Sequence, residues 1–233
     1  MRLLGALVLA GCGRLGFEAA LAPIDAPPAT PDAALTFCQQ ADADVCIDFD
    51  DGITGSWVDG GATNGSYIVE NGELVSTIDP LATATDIGES FILHPFSTPG
   101  VRVTLSVDVR IEQLGQGDAV IAQVRFSGAQ RHGIEYVYAA AGSYVEEFRD
   151  SVFDVYPIAG APLSVGQRHR IELDMDLRAT PHMKVRENGV LVLDTDLLGS
   201  SAGNARATVG IVFLRGPSAT WKIRSDNVVV DVE

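Results

Sequence analysis

The chain has 233 residues, 46% of them hydrophobic and 20% charged, enough to bury a proper core in one large domain or two small ones. Its 31 acidic residues outweigh 16 basic ones for a formal net charge of -15, which disfavours a nucleic-acid partner and a basic docking patch for anionic headgroups. The only long apolar run, LLGALVLAG at residues 3 to 11, falls far short of the roughly 20 residues that span a bilayer, so no transmembrane helix is expected.

That run follows Arg2 and closes on small residues, the arrangement of a short secretory signal peptide. It ends on Leu9-Ala10-Gly11-Cys12, which resembles the lipobox of bacterial lipoproteins, where the cysteine thiol is diacylglycerol-modified and the preceding peptide is cleaved. The resemblance implies removal of residues 1 to 11, lipidation of Cys12 and a place in the bacterial cell envelope, periplasmic or on the outer surface. Several acyl chains, at about 0.8 kcal/mol per buried CH₂, hold a protein on a membrane far more firmly than one. Residues 12 to 36 continue as a semi-extended tether, rich in Ala, Pro and Asp and too poor in large apolar side chains to fold. The globular domain is expected over residues 37 to 233.

Of the three cysteines, Cys38 and Cys46 remain, close together at the domain's first strand. In an exported protein an even remainder points to a disulfide, and no further Cys or nearby His favours a metal pair. Closing so short a loop contributes roughly 2 to 3 kcal/mol by chain entropy.

From residue 45 onward the hydrophobic period is two. VRVTLSVDVRIE, residues 101 to 112, sets Val101, Val103, Leu105, Val107, Val109 and Ile111 on one face and polar residues on the other, a half-buried antiparallel strand. AVIAQVRF, IEYVYAAA, SYVEEF, HRIELDMDL, VLVLDTDL, ATVGIVFL and ATWKIRSDNVVVDV read as further strands, and no amphipathic helix stands out. Asn71-Gly72 and Asn188-Gly189 each predict a tight hairpin turn. In the last strand Trp221 and Ile223 share one parity while Val228, Val230 and Val232 take the other, which requires a bulge near Asp226-Asn227. About a dozen strands imply an all-β fold of two stacked antiparallel sheets.

VCIDFDDGITGSWVDGG, YIVENGELV, SVGQRHRIELDMD, KVRENGVLVLD and the terminal SDNVVVDV together resemble the laminin G-like and concanavalin A-like jelly rolls, over most of residues 37 to 233. The resemblance implies a sandwich of twelve to fourteen strands that often binds glycans or proteins and sometimes hydrolyses polysaccharide. Arg168 departs from it, standing where many members carry a tryptophan before the histidine, here His169.

Several site candidates follow. IELDMDL, residues 171 to 177, alternates Glu172, Asp174 and Asp176 as the laminarinase-like glycoside hydrolases of this fold alternate their catalytic acids. Positions i and i+4 on a strand are roughly 13 Å apart at Cα, however, against about 5 to 5.5 Å between carboxyls for retaining chemistry. A hairpin register with 177 opposite 183 instead sets Asp176 against Lys184 and Asp174 against Arg186, a charge-paired solvent face. Asp50 and Asp226, with Asp48, Asp51 and Asp231, lie on first and last strands that often neighbour one another in related jelly rolls and share a structural Ca²⁺. Tyr136, Tyr138 and Tyr144 cluster around one hairpin, and at least one of them should face solvent as a sugar-stacking ring. Gly199-Ser200-Ser201-Ala202-Gly203 matches G-x-S-x-G but lacks the following helix of a nucleophile elbow. The histidines His94, His132, His169 and His182 show no zinc spacing and are expected on the surface or in loops.

The expectation is therefore a lipid-anchored, non-catalytic binding or adhesion module for glycan. A glycoside hydrolase using Glu172 and Asp176, or a structural lipoprotein with an envelope-protein partner, are the alternatives.

Overall fold

The computed structural model describes residues 36–99, 101–128, 131–178, 180–199 and 203–233. The signal sequence, Cys12 and the tether up to residue 35 lie outside the described residues, as do Ser200, Ser201 and Ala202 of the G-x-S-x-G match.

A single turn of helix, α1 (Phe37–Gln40), precedes the strands β1 (Val45–Ile47), β2 (Val58–Thr63), β3 (Gly65–Glu70), β4 (Glu73–Ile78), β5 (Ile87–Pro99), β6 (Arg102–Gln113), β7 (Ala119–Ser127), β8 (His132–Tyr138), β9 (Tyr144–Arg149), β10 (Val152–Pro157), β11 (Arg168–Asp176), β12 (His182–Glu187), β13 (Val190–Asp196), β14 (Asn204–Arg215) and β15 (Trp221–Val232). They form an antiparallel two-sheet sandwich of the jelly-roll type. One sheet of eight strands runs β13-β12-β11-β6-β15-β4-β3 with β1 also on β15, and one of seven runs β10-β9-β8-β7-β14-β5-β2.

Period-two patterning builds the core. Val103, Leu105, Val107, Val109 and Ile111 of β6 are all at most 1% exposed and meet Ala122, Val124, Ile134 and Val209 of the other sheet within one cluster. Each fully buried side chain of valine size or larger contributes about 1.5 to 3 kcal/mol. Val101 is the exception to the predicted face, because it precedes β6 and is 49% exposed.

The turn chemistry holds. Asn71 (φ 55°) and Gly72 (φ 73°) join β3 to β4, and Asn188 (φ 52°) and Gly189 (φ 79°) join β12 to β13. The bulge in β15 falls between Asp226 and Val229, with Asn227 at φ 50°. The first half of β15 thereby pairs β4 and the second half pairs β1. Cys38 and Cys46 are disulfide-bonded and tie α1 to β1.

The β11–β12 register differs from expectation. Met175 faces Met183, so Asp174 opposes Lys184, Glu172 opposes Arg186 and Asp176 opposes His182. Leu177 leaves the hairpin ladder because its N–H donates to Val101 O at 2.7 Å while its side chain is buried, which moves the turn one residue earlier. The slip preserves parity, so both faces keep their chemistry.

Candidate active site

On the outer face of the eight-stranded sheet, the acids of IELDMDL are all matched by arginine. Arg186 Nη1 donates to Glu172 at 2.5 Å, and Arg102 holds Asp174 through Nε and Nη2, both at 3.1 Å. Arg178 donates to Asp176 at 2.8 and 2.5 Å and holds that carboxyl down to about 2. An acid so ionised has no proton to give near neutral pH, which removes it as a general acid. These residues make the charge-paired face rather than the catalytic row.

The same face answers every aligned cation with an acid. Register sets Arg224 opposite Arg110 and Arg110 opposite Arg168. Glu73 accepts from all three, at 3.4, 2.9 and 2.5 Å. Arg168, the departure from the jelly-roll pattern, also donates to Asp226 at 2.9 Å.

That contact bears on the calcium candidates. Asp226 is occupied by Arg168 and by its own neighbour's N–H, Asp48 accepts the Cys38 N–H at 3.3 Å, and Asp231 accepts the Asp44 N–H at 3.1 Å. Asp50 and Asp51 are exposed. Among the described residues no group of three or more His, Cys, Asp or Glu is arranged to hold a metal ion, and with their oxygens so engaged or exposed these aspartates do not fit calcium.

The tyrosine cluster divides by parity. Tyr136 and Tyr138 are 0% and 2% exposed and point into the core, where their hydroxyls reach Glu187 and the Leu163 carbonyl. Only Tyr144 turns outward, donating to Asp118 at 3.1 Å. His94 and His132 are likewise buried strand residues rather than surface ones, at 5% and 1% exposure.

Tyr144 lines a groove of about 1160 Å³ on the outer face of the seven-stranded sheet. Antiparallel register arranges the groove floor in three rows. The first is apolar: Phe213, Val120, Val137 and Tyr144. The second is polar: Thr208 and Gln123, buried beside the groove, then Glu135 and Glu146 lining it. The third carries Arg206, Arg125, Gly133, Phe148 and Phe153. A Cβ on Gly133 would lie 2.2 Å from the Phe148 ring, so the missing side chain lets that ring lie over β8.

Glu135 and Glu146 are direct cross-strand partners. Such pairs bring Cβ atoms to about 4.5 to 5.5 Å, the spacing that i and i+4 on one strand cannot reach. Burial pushes the Glu135 carboxyl up, Arg125 opposes the rise, and the charge of Glu146 adds to it. Glu135 accepts from Gln123 and, at 3.4 Å, from Arg125. Burial alone pushes Glu146 up. Two adjacent acids with unequal donors separate into an anion and a proton carrier. Both carboxyls are raised, and they differ in their donors: Glu135 has two, and Glu146 has none among the described residues.

Beneath the floor, Glu147 fixes the strand that carries Glu146. It is 0% exposed, accepts from the Tyr156 hydroxyl at 2.9 Å and the Leu198 N–H at 2.8 Å, and lies 2.8 Å from His132 Nε2. With residue 147 tied inward, residues 146 and 148 must face the groove.

Of the candidate ligand residues the sequence reading reached only Tyr144 in this groove; Arg125, Glu135, Glu146 and Arg206, and Gln123 buried beside them, it missed. One signal was present, a lone glutamate in the otherwise apolar IEYVY.

No sequence-family description matches the chain, and no curated protein matches it in sequence. Solved structures do resemble it. An endo-β-1,4-glucuronan lyase from the fungus Trichoderma reesei is 15% identical with a TM-score of 0.62, over 82% of this chain and 96% of the lyase. An alginate lyase is 14% identical with a TM-score of 0.55, over 80% and 96%. A GlcNAcα1-4Gal-releasing endo-β-galactosidase from Clostridium perfringens is 12% identical with a TM-score of 0.58, over 81% and 62%. At these identities the likeness establishes the shared fold. It also corrects the expectation of a non-enzymatic module: the neighbours named here are enzymes, and that expectation does not stand.

Proposed function

We propose that this chain is a carbohydrate-active enzyme that cleaves a glycan bound across the outer face of the seven-stranded sheet. The observation that carries the reading is the cross-strand pair Glu135 and Glu146, with its raised carboxyls and unequal donors, on the floor of a large groove. The partly exposed rings of Tyr144 and Phe213 and the exposed Phe153 supply surface on which sugar rings stack. The carbohydrate substrates in the names of the fold neighbours support the substrate class.

In this reading Glu146 passes its proton to the glycosidic oxygen as the carbon–oxygen bond breaks, and the Glu135 carboxylate bonds to the anomeric carbon. Water then attacks that carbon, returns a proton to Glu146 and releases Glu135. A retaining route needs carboxyl groups about 5 to 5.5 Å apart, a separation that directly opposed cross-strand side chains can adopt. Attachment to a bacterial membrane through Cys12 remains part of the proposal and rests on the LAGC sequence alone.

The test is a reducing-end assay over a panel of neutral and acidic polysaccharides. Cleavage that Glu146→Gln abolishes and Glu172→Gln leaves intact supports the reading. Failure of the wild type to cleave any of them removes it, and an unsaturated product detected by ultraviolet absorbance replaces hydrolysis by elimination.

A further inference from the structure

Arg206 and Arg125 are Cα partners on adjacent strands, side by side on the groove floor. Like charges directly opposite one another destabilise a sheet. Where the fold aligns arginines elsewhere it inserts Glu73 among them. Here it inserts nothing. The one acid near Arg125 is Glu135 at 3.4 Å, which comes from β8, the strand on the side away from Arg206. Among the described residues Arg206 has no hydrogen-bond or ion-pair partner, and its Nε is buried and unsatisfied. The undescribed positions of the adjoining loops, 129, 130 and 200 to 202, contain no acidic residue. Arg125 is steadied by the Phe148 ring, 5.2 Å from its guanidinium, and Phe148 in turn neighbours the 61% exposed Phe153 at 6.3 Å between centroids.

Two adjacent cations with one carboxylate near them, on the far side of Arg125, and with a buried unsatisfied donor on Arg206, are a site that an anion would complete. We propose that Arg125 and Arg206 form a subsite for an anionic substituent, a carboxylate or a sulfate, on a sugar residue that rests against Phe148 and Phe153, one row from Glu135 and Glu146. This rests on the reading of the groove as a glycan site and narrows its substrate to acidic polysaccharide. Burial and the charge of Arg125 both disfavour the charged Arg206 guanidinium, and a bound anion offsets them by favouring it.

The test is calorimetric binding of the full chain to three polymers with one backbone: β-1,4-glucan, β-1,4-glucuronan and sulfated β-1,4-glucan. An acidic polymer should bind at least about tenfold more tightly than the neutral one, as expected for charge-assisted hydrogen bonds. Which acidic polymer does so identifies the carboxylate or the sulfate. Arg206→Gln and Arg125→Gln should each collapse that preference, Arg206→Lys should keep most of it, and added salt should shrink it. Equal binding of neutral and acidic polymers by the wild type overturns the subsite and leaves the glycan groove standing. A preference that survives both Gln substitutions also overturns it, and binding to none of the three overturns subsite and groove together.

Discussion

Three arginines aligned across the eight-stranded sheet, Arg224, Arg110 and Arg168, converge on Glu73, whereas two aligned across the seven-stranded sheet, Arg206 and Arg125, share no acid among the described residues. The acids differ in the same way. Glu172, Asp174 and Asp176 each meet an arginine, while the cross-strand partners Glu135 and Glu146 have one between them, Arg125 at 3.4 Å from Glu135. One outer face joins its aligned like charges through a shared opposite charge, and the other sets like charges directly across from one another. A protein gains no stability from the second arrangement; strained electrostatics of this kind cluster at functional sites.

Breaking the face of the seven-stranded sheet should affect turnover most. Glu146→Gln or Glu135→Gln is expected to lower glycan cleavage by about 10²- to 10⁴-fold, read as initial rates of reducing-end release, with little change in melting temperature. Breaking the face of the eight-stranded sheet should do the reverse. Glu73→Gln removes the charge that Arg224, Arg110 and Arg168 share, while Arg224 keeps Glu112 at 2.6 Å and Glu70 at 2.7 Å; the expected loss is about 1.5 kcal/mol, the low end for hydrogen bonds to a charged group, visible as a lower midpoint in urea unfolding. The same experiment on Arg206→Gln should show no loss and a gain of a few tenths of a kcal/mol, since a repulsion disappears.

Proton linkage sharpens the contrast. Glu135 and Glu146 have folded values raised above their unfolded ones. The folded state therefore holds protons that the unfolded state releases, and the stability they contribute is full below the ordinary glutamate range and is lost as pH rises through the raised values. A Glu135→Gln, Glu146→Gln double variant should flatten that decline in a melting series across mildly acidic to neutral pH. The smallest effect belongs to His182 on the other sheet, raised chiefly by the Asp196 carboxylate and also by Asp194. Its contribution is present below the ordinary histidine value and fades as pH rises through the raised one. His182→Gln should remove that slight dependence.

Much of the sandwich was legible because strand parity, Asn-Gly turns and the bulge at Asp226-Asn227 are local properties of the chain. The disulfide was legible from the two cysteines that close a short loop. The site was not local. Thr208, Gln123, Glu135 and Glu146 come from four strands, and only register sets them in one row. Nor could parity say which tyrosines face out, because IEYVYAAA is apolar at both parities apart from one glutamate. The IELDMDL row drew attention because its acids alternate visibly, and the cations that neutralise two of them, Arg102 and Arg186, lie on neighbouring strands.

Hydrogen exchange on the Glu146→Gln variant, with and without an oligosaccharide that the wild type cleaves, tests the contrast between the faces directly. Protection confined to β7, β8, β9 and β14 is the expected result. Protection over β11 and β12, with those strands unchanged, would place the glycan on the charge-paired face and contradict the account.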